Sequence, residues 1–238
     1  MKRLFLTAVA IAGFACASQA SLILSNSFSY PDGPITTVSA GSPLGVWTNH
    51  SGSGSVDIVS GMASLNQADG EDVSTGIPDT SSGTLYASFK VNFSALPSTT
   101  AGTYFWHFRD NGTTFRAKIS ATTSGAAAGS LRLGIANAAN TPTVLARDIS
   151  LNTDYKVVVR YNVDTRTATL WINPNSEDST VDRADASDTA SAVTLSNVAL
   201  RQTGGIGVLT LDDLLVGTTF ADVATTGGAP TISALSTQ

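Results

Sequence analysis

Apolar and polar residues alternate along much of this chain. Between Thr84 and Phe93, the apolar positions Leu85, Phe89 and Val91 are separated by polar residues such as Lys90. A period of two puts one apolar face against a core, so this segment predicts a long, half-buried β-strand. Further strands are predicted over 103–109, 115–121, 130–135, 157–163, 168–172, 193–201 and 207–220.

The residues before Thr84 predict shorter strands over 22–28, 46–48, 56–59 and 62–65. Residues 66–83 read as a polar loop, in which the acidic residues Asp69 to Asp79 offer oxygen ligands for a structural calcium ion, together with Asp212. About a dozen strands with close turns and no convincing helix predict an all-β fold. We expect an antiparallel two-sheet β-sandwich of the jelly-roll type, in a single domain.

The two ends of the chain differ from this pattern. Lys2 and Arg3 precede an apolar run that reaches Ala17, and Ser18-Gln19-Ala20 fits a cleavage site. Residues 1–20 therefore predict a signal peptide, with a secreted, extracellular or periplasmic product and no transmembrane segment. Lipidation of Cys16, the only cysteine, remains an alternative. Residues 21–223 are assigned to the sandwich, and residues 224–238 to a flexible tail or linker.

Charge is unevenly distributed. The full chain carries 13 basic and 18 acidic residues, a net charge of −5, whereas residues 86–160 contain eight basic and three acidic residues. Alternation directs several of these cations away from the core-facing positions of their strands. One interpretation is a basic face for an anionic polymer. The other is that acidic segments, including Glu177 and Asp182, fold over the cations and pair with them. The cations assigned to the basic face are Lys90, Arg116, Lys118, Arg132 and Arg160.

Motifs for catalysis or metal binding are not found in the sequence. His50 and His107 are the only histidines and lack metal-ligand spacing, so no metal or catalytic residue is assigned. Asp212 and Asp213 are adjacent in a strand and are expected to face opposite sides. Aromatic side chains are common sugar-binding surfaces, and Trp47, Trp106 and Trp171 are the candidates, although large aromatics more often fill cores.

The chain resembles a group of bacterial secreted domains of the concanavalin A-like, laminin-G-like jelly-roll type. The resemblance extends over residues 22–223 and is carried by TLYASFKVNFSALPS, GTYFWHFRD, GAAAGSLRLGIANAAN, YKVVVRYNVDTRTATLWINP and LTLDDLLVGTTFADV. It implies a fold and an extracellular setting. It carries over no functional residue, because the paired-carboxylate strand of catalytic relatives and the metal cluster of lectins are missing here.

Three functions remain open at this point. We expect an exported, non-catalytic module that binds carbohydrate or another extracellular polymer, with no cofactor and no nucleic-acid partner. The first alternative is a structural or adhesive protein, which requires a large exposed apolar patch. The second is a polysaccharide-degrading enzyme, which requires two acidic residues, or a histidine with a tyrosine or arginine, within reach of one substrate bond.

Overall fold

The computed structural model describes residues 22–224, which form two antiparallel β-sheets. The predicted signal peptide and residues 225–238 of the predicted tail lie outside the described residues. The strands are β1 (Leu22–Asn26), β2 (Gly33–Pro34), β3 (Thr48–Ser51), β4 (Asp57–Val59), β5 (Met62–Asn66), β6 (Asp72–Thr80), β7 (Thr84–Ala95), β8 (Thr103–Arg109), β9 (Phe115–Thr122), β10 (Ser130–Ala136), β11 (Thr143–Val144), β12 (Ile149–Ser150), β13 (Tyr155–Asn162), β14 (Thr167–Ile172), β15 (Arg183–Asp185), β16 (Leu195–Arg201) and β17 (Val208–Gly217).

The first sheet has nine strands in the order β15-β14-β13-β7-β17-β5-β4-β2, with β1 paired to β17. The second has eight strands in the order β11-β10-β9-β8-β16-β6-β3, with β12 paired to β10. Neighbours in the sheets come from distant parts of the sequence, as in a jelly roll. The two-sheet β-sandwich predicted from the sequence is therefore confirmed.

The core lies between the two sheets and follows the alternation of β7. Phe89 is buried and points from β7 toward the eight-stranded sheet, where its ring lies 5.4 Å from that of Trp106 and 6.4 Å from that of Phe105. Phe93 packs against the same Phe105 ring at 5.8 Å. Burial of large aromatic side chains in such close contact supplies much of the stability of a sandwich without disulfides.

Two short helices and several strands were not predicted from the sequence; the strands are β2, β6, β11, β12 and β15. Helices α1 (Ile35–Val38) and α2 (Phe220–Ala224) are too short to show a helical period in the sequence. The segment that we predicted as a polar loop contains β6, so that prediction is wrong. Strand β6 carries few large apolar side chains and is interrupted by Gly76 and Pro78, which hides the alternation.

β-Bulges in β9 and β17 change which side chains reach the surface. In β9, Ala117 adopts a φ of 51°, and the register shifts between the pairs Trp106–Ile119 and Phe108–Arg116. The extra residue reverses the alternation at the start of β9, so Phe115 faces outward and Arg116 lies inward. In β17, Asp213 adopts a φ of 52° beside a second register shift.

The bulge in β17 overturns one expectation from the sequence. Asp212 and Asp213 were expected to face opposite sides of the sheet. Instead, both carboxylates approach Lys90 Nζ, Asp212 at 3.6 Å and Asp213 at 3.1 Å. The pair is therefore a local ion-pair site on the outer face of the nine-stranded sheet.

Candidate functional site

The structure places all three candidate tryptophans in the interior. Trp47 is 1% exposed and packs on Phe28, while Trp106 is fully buried against Phe89. Trp171 does point away from the main core, as its alternation with Leu170 predicts. However, Phe220 of α2 covers it, and its Nε1 donates to the Ser179 carbonyl at 3.0 Å. The expectation that these rings form a sugar-stacking surface is corrected, because no face of any of them is open to a ligand.

The cations assigned to one basic face are divided between the two sheets. Lys90 and Arg160 belong to β7 and β13 of the nine-stranded sheet, whereas Arg116, Lys118 and Arg132 belong to β9 and β10 of the eight-stranded sheet. Strands in different sheets of a sandwich cannot share an outer face. A single basic surface built from these five residues therefore does not exist in the structure.

Most of these cations also have partners nearby. Arg132 Nε donates to Asp148 Oδ1 at 2.6 Å, and Arg160 Nη1 donates to Glu177 Oε1 at 2.9 Å. Arg116 donates to the Ser191 carbonyl at 2.8 Å and is 3% exposed. These contacts agree with the interpretation in which acidic and polar segments fold over the cations.

The outer face of the eight-stranded sheet brings together polar and aromatic side chains that the sequence did not link. We call this group the Tyr104 cluster, and its members contact one another across β3, β6, β8, β9 and β16. It consists of His50, Asp72, Tyr104, His107, Arg109, Phe115, Lys118 and Arg201.

An irregularity in β8 places Tyr104 in this cluster. Simple alternation predicts that Tyr104 shares a side with Trp106 and Phe108, opposite His107. The register of β8 against β9 shifts between Tyr104 and Trp106, and the Tyr104 ring lies 5.3 Å from the His107 ring on the outer face. Trp106 and Phe108 remain in the core.

His107 occupies the centre of the cluster. It is fully buried, with the rings of Phe115 at 4.5 Å, Tyr104 at 5.3 Å and His50 at 6.3 Å. Tyr104, Phe115 and His50 are half-buried, so they form the surface above it. The buried imidazole is thus separated from solvent by three rings.

Hydrogen bonds to the neighbouring strand hold β3, and with it His50, in place. The carboxylate of Glu71 is buried and accepts from the Val56 backbone N–H at 2.6 Å and from Asn49 Nδ2 at 3.1 Å. Next to it, Ser51 donates to Asp72 Oδ2 at 2.7 Å. These bonds tie both flanks of His50 to the segment that begins β6, which explains why His50 lies beside His107.

Three cations surround Tyr104 and His107. The Arg201 guanidinium lies 4.4 Å from the centre of the Tyr104 ring, and Lys118 Nζ lies 5.0 Å from it. Arg109 is 7% exposed and donates to Ser74 Oγ at 3.2 Å and to the Gly112 carbonyl at 2.5 Å. Asp72 is the one carboxylate in the cluster, and its Oδ2 lies 3.7 Å from Arg201 Nε.

Burial and positive charge keep both histidines neutral near pH 7. Burial, aided by the charge of Arg109, lowers the pKa of His50 to about 4. The pKa of His107 is also lowered well below its usual value, first by burial, then by its coupling to the His50 imidazole, and then by the charges of Arg109 and Arg201. Within residues 22–224, the four ring nitrogens are buried and have no hydrogen-bond partner.

A surface depression of about 440 Å³ lies at the other end of β8 and is lined by Asp79, Asp110 and Ser196 among others. The Asp110 carboxylate already accepts the backbone N–H groups of Gly112 and Thr114, at 2.8 Å and 2.9 Å, and thereby closes the turn between β8 and β9. These hydrogen bonds show that Asp110 stabilises the turn, and they give no support to a role for it in a catalytic pair.

Among the described residues, no group of three or more histidine, cysteine, aspartate or glutamate side chains is placed to hold a metal ion. None of the helices within residues 22–224 is long and apolar enough to cross a membrane.

No family model matches the sequence, and no curated protein matches it. Among solved structures, the chain is similar to the CBM2 module of the evolved Dit of Lactobacillus casei BL23 phage J-1, with a TM-score of 0.50 and 14% identity over 88% of this chain and 98% of that chain. It is also similar to peanut lectin solved with a 9mer peptide, with a TM-score of 0.50 and 12% identity over 78% of this chain and 95% of that chain. These similarities concern the fold alone, a two-sheet jelly-roll β-sandwich.

Proposed function

We propose that this protein is an exported, non-catalytic module that binds carbohydrate through the Tyr104 cluster. One observation carries the proposal: half-buried aromatic rings lie on the outer face of a sheet beside several N–H donors. Sugars are recognised by this combination, since aromatic side chains offer an apolar body with a polar tip, and nearby donors fix the hydroxyl groups. Two structures with a similar fold are named as a lectin and as a CBM module, which agrees with a carbohydrate ligand.

Binding is favoured over catalysis by the state of the polar groups. A histidine, a tyrosine and arginines do meet in the cluster, as a polysaccharide-degrading enzyme would require. However, the ring nitrogens of both histidines are buried, and a general base must come within hydrogen-bond reach of the proton that it removes. The arrangement therefore supports recognition better than bond cleavage.

An adhesive role through an apolar surface has less support. Within residues 22–224, the exposed large hydrophobic side chains lie in four separate elements or loops, which scatters them over the surface. Single exposed apolar residues of this kind are ordinary in soluble proteins. They are Leu22, Val46, Val59 and Val181.

A glycan array with neutral and acidic polysaccharides tests the proposal. The wild-type protein should bind at least one glycan, and Tyr104→Ala should weaken that binding at least about tenfold, the effect of losing roughly 1.4 kcal/mol of contact. Tyr104→Phe keeps the ring and removes the hydroxyl group, so it distinguishes the contribution of the ring to binding from that of the hydroxyl. Met62→Ala, at a half-buried side chain on the outer face of the other sheet, is the control and should leave binding unchanged. If no glycan binds, or if both alanine variants behave alike, the proposal is wrong.

Export is tested separately at the amino terminus. Expression of the full chain in a bacterium, followed by N-terminal sequencing of the product outside the cytoplasm, should give a protein that begins at Ser21. A product that begins at a modified Cys16 supports the lipoprotein alternative, and an uncleaved cytoplasmic product contradicts export.

A further inference from the structure

Several cations of the Tyr104 cluster meet on one face, although the protein as a whole is acidic. Arg109, Lys118 and Arg201 lie there, and Asp72 is the carboxylate within the cluster.

Two carboxylates outside the cluster also act on these cations, Asp110 on Arg109 and Asp188 on Lys118. Each of these carboxylates already accepts hydrogen bonds from backbone N–H groups. Buried or half-buried cations are costly unless anions or hydrogen-bond acceptors compensate them, so N–H donors that remain without an acceptor at this surface point to a negatively charged ligand.

The hydrogen-bond donors of the cations are only partly used by the protein. Arg201 donates from Nη1 to Thr103 Oγ1 at 3.1 Å, and no other hydrogen bond from its guanidinium is formed with the described residues. Its side chain is 24% exposed, so the remaining N–H groups reach the surface. Arg109 Nε is buried without a partner in the described part of the chain.

Lys118 supplies the ammonium group of the cluster, and its side chain is deeply buried. Its residue is 3% exposed, and Nζ donates to the Ala138 carbonyl at 2.8 Å and to Asn140 Oδ1 at 3.1 Å. Lysine has three N–H donors, so one remains for another acceptor. Burial lowers the pKa of Lys118, the charge of Asp188 opposes this effect, and the charge of Arg201 adds to it.

The same surroundings argue against a cation as the ligand. Two imidazoles and a carboxylate are a common start for a metal site, and His50, His107 and Asp72 lie in one cluster. The positive charge of Arg109 acts on both histidines, and that of Arg201 acts on His107. A metal ion there would be repelled by groups that attract an anion.

We infer that the Tyr104 cluster binds the negatively charged group of an acidic sugar residue, the carboxylate of a uronic acid or a sulfate ester, through Arg201 and Lys118. This inference rests on the carbohydrate-binding function proposed above and specifies its ligand class. Arg201 suits the role because its planar guanidinium pairs with two oxygens of a carboxylate or sulfate at once. The Tyr104 ring, 4.4 Å from the Arg201 guanidinium, restricts the positions that this group can take.

Two matched pairs of polysaccharides test the inference, since the members of each pair differ in charge. Polygalacturonate is compared with its fully methyl-esterified form, and dextran sulfate with dextran, by isothermal titration calorimetry at two salt concentrations. An acidic member should bind at least about tenfold more tightly than its neutral partner, and the difference should shrink as salt rises. The pair that shows the difference identifies carboxylate or sulfate as the ligand group.

Arg201→Gln should weaken binding of the acidic member about tenfold, and Arg201→Lys by less. Arg132→Gln is the matched control, because Arg132 is a cation of the same sheet, is also 24% exposed and is paired with Asp148. Equal loss in both variants would show nonspecific attraction of a polyanion and overturn the inference. Thermal unfolding of each variant establishes that it is folded.

The other outcomes separate the two proposals. Equal affinity for the charged and neutral members of both pairs overturns the acidic-sugar inference and leaves carbohydrate binding in place. Binding that is confined to neutral glycans of the array likewise overturns the acidic-sugar inference and leaves carbohydrate binding in place. Failure to bind any glycan of the array or of the pairs overturns both.

Discussion

The guanidinium of Arg201 lies 4.4 Å from the centre of the Tyr104 ring, and this contact joins two neighbouring strands of the eight-stranded sheet on its outer face. Arg201 ends β16, and Tyr104 lies near the start of β8. The pair combines a fixed positive charge with a half-buried aromatic ring. It is therefore the part of the surface on which the proposed function depends.

The contact between these two side chains should be measurable as a coupling energy. In a double-mutant cycle of Tyr104→Leu and Arg201→Gln, we expect an interaction of about 0.5–1 kcal/mol in the free energy of unfolding, the usual range for a partly exposed cation–π pair. Chemical denaturation of the four proteins provides the measurement. Additive effects of the two substitutions would mean that the side chains do not interact in solution.

The three buried tryptophans should not contact a bound ligand. Because Trp47, Trp106 and Trp171 are at most 1% exposed, the tryptophan fluorescence should be blue-shifted. Acrylamide should quench this fluorescence only weakly. Addition of a bound glycan should leave the emission nearly unchanged. Trp106→Ala should cost about 3–5 kcal/mol of stability, as expected for removal of a large core side chain. Strong quenching by acrylamide would place at least one ring at the surface.

Stability should fall as the solution becomes more acidic than about pH 6.5. The pKa of His50 is about 4 in the folded protein and near 6.5 when unfolded, so between these values the unfolded state binds a proton that the folded state does not. The folded state is therefore fully favoured above pH 6.5, and its advantage declines toward pH 4, by about 1–3 kcal/mol for this partly buried group. His107, whose pKa is also lowered, acts in the same direction.

The raised pKa of Asp72 opposes this trend, because burial makes that folded carboxyl group bind protons more readily at low pH. Comparison of wild type with His50→Gln isolates the histidine, and urea unfolding from pH 7 to pH 4 is the measurement. The variant should show a shallower decline across this range. Identical pH profiles would contradict the low pKa of His50.

The bulge at Ala117 should reverse the usual order of stability of valine and glycine in a strand. In a regular strand, valine is more stabilising than glycine. At a φ of 51°, however, a β-branched side chain is strained, and glycine is tolerated. Ala117→Val should therefore destabilise by about 1–3 kcal/mol, more than Ala117→Gly does. The reverse order would indicate a regular strand, in which Phe115 faces the core and Arg116 faces solvent.

Alternation was sufficient to predict most strands because each buries one face in a single core. Leu85, Phe89 and Phe93 lie where the period of two puts them. Strand β6 was missed because Gly76 and Pro78 interrupt its apolar pattern. The sheet to which each strand belongs depends on pairings between distant segments, so the separation of Lys90 from Arg132 was beyond the reach of a local pattern.

The candidate site was missed for a related reason. Alternation alone puts His107 and Arg109 on the same side of β8, where the structure also has them. Tyr104 and Phe115 joined them only through a register shift in β8 and a bulge in β9, neither of which the alternation reveals. The positive φ of Ala117 has no signature in the sequence, since glycine, asparagine and aspartate are the residues that normally indicate it. His50 and Arg201 came from strands that are distant in the sequence.

The two histidines offer the most direct test of the central claim, because the full chain contains only His50 and His107 and both belong to the Tyr104 cluster. Their ring signals in a ¹H–¹³C NMR spectrum report on this site and on no other. Titration with the acidic polysaccharide that binds in calorimetry, cut to short oligosaccharides, should shift the His50 signals at the same concentrations that saturate binding, and those of His107 with them. If the oligosaccharide binds while both sets of histidine signals stay in place, the ligand lies elsewhere, and the assignment of the Tyr104 cluster as the binding site is wrong.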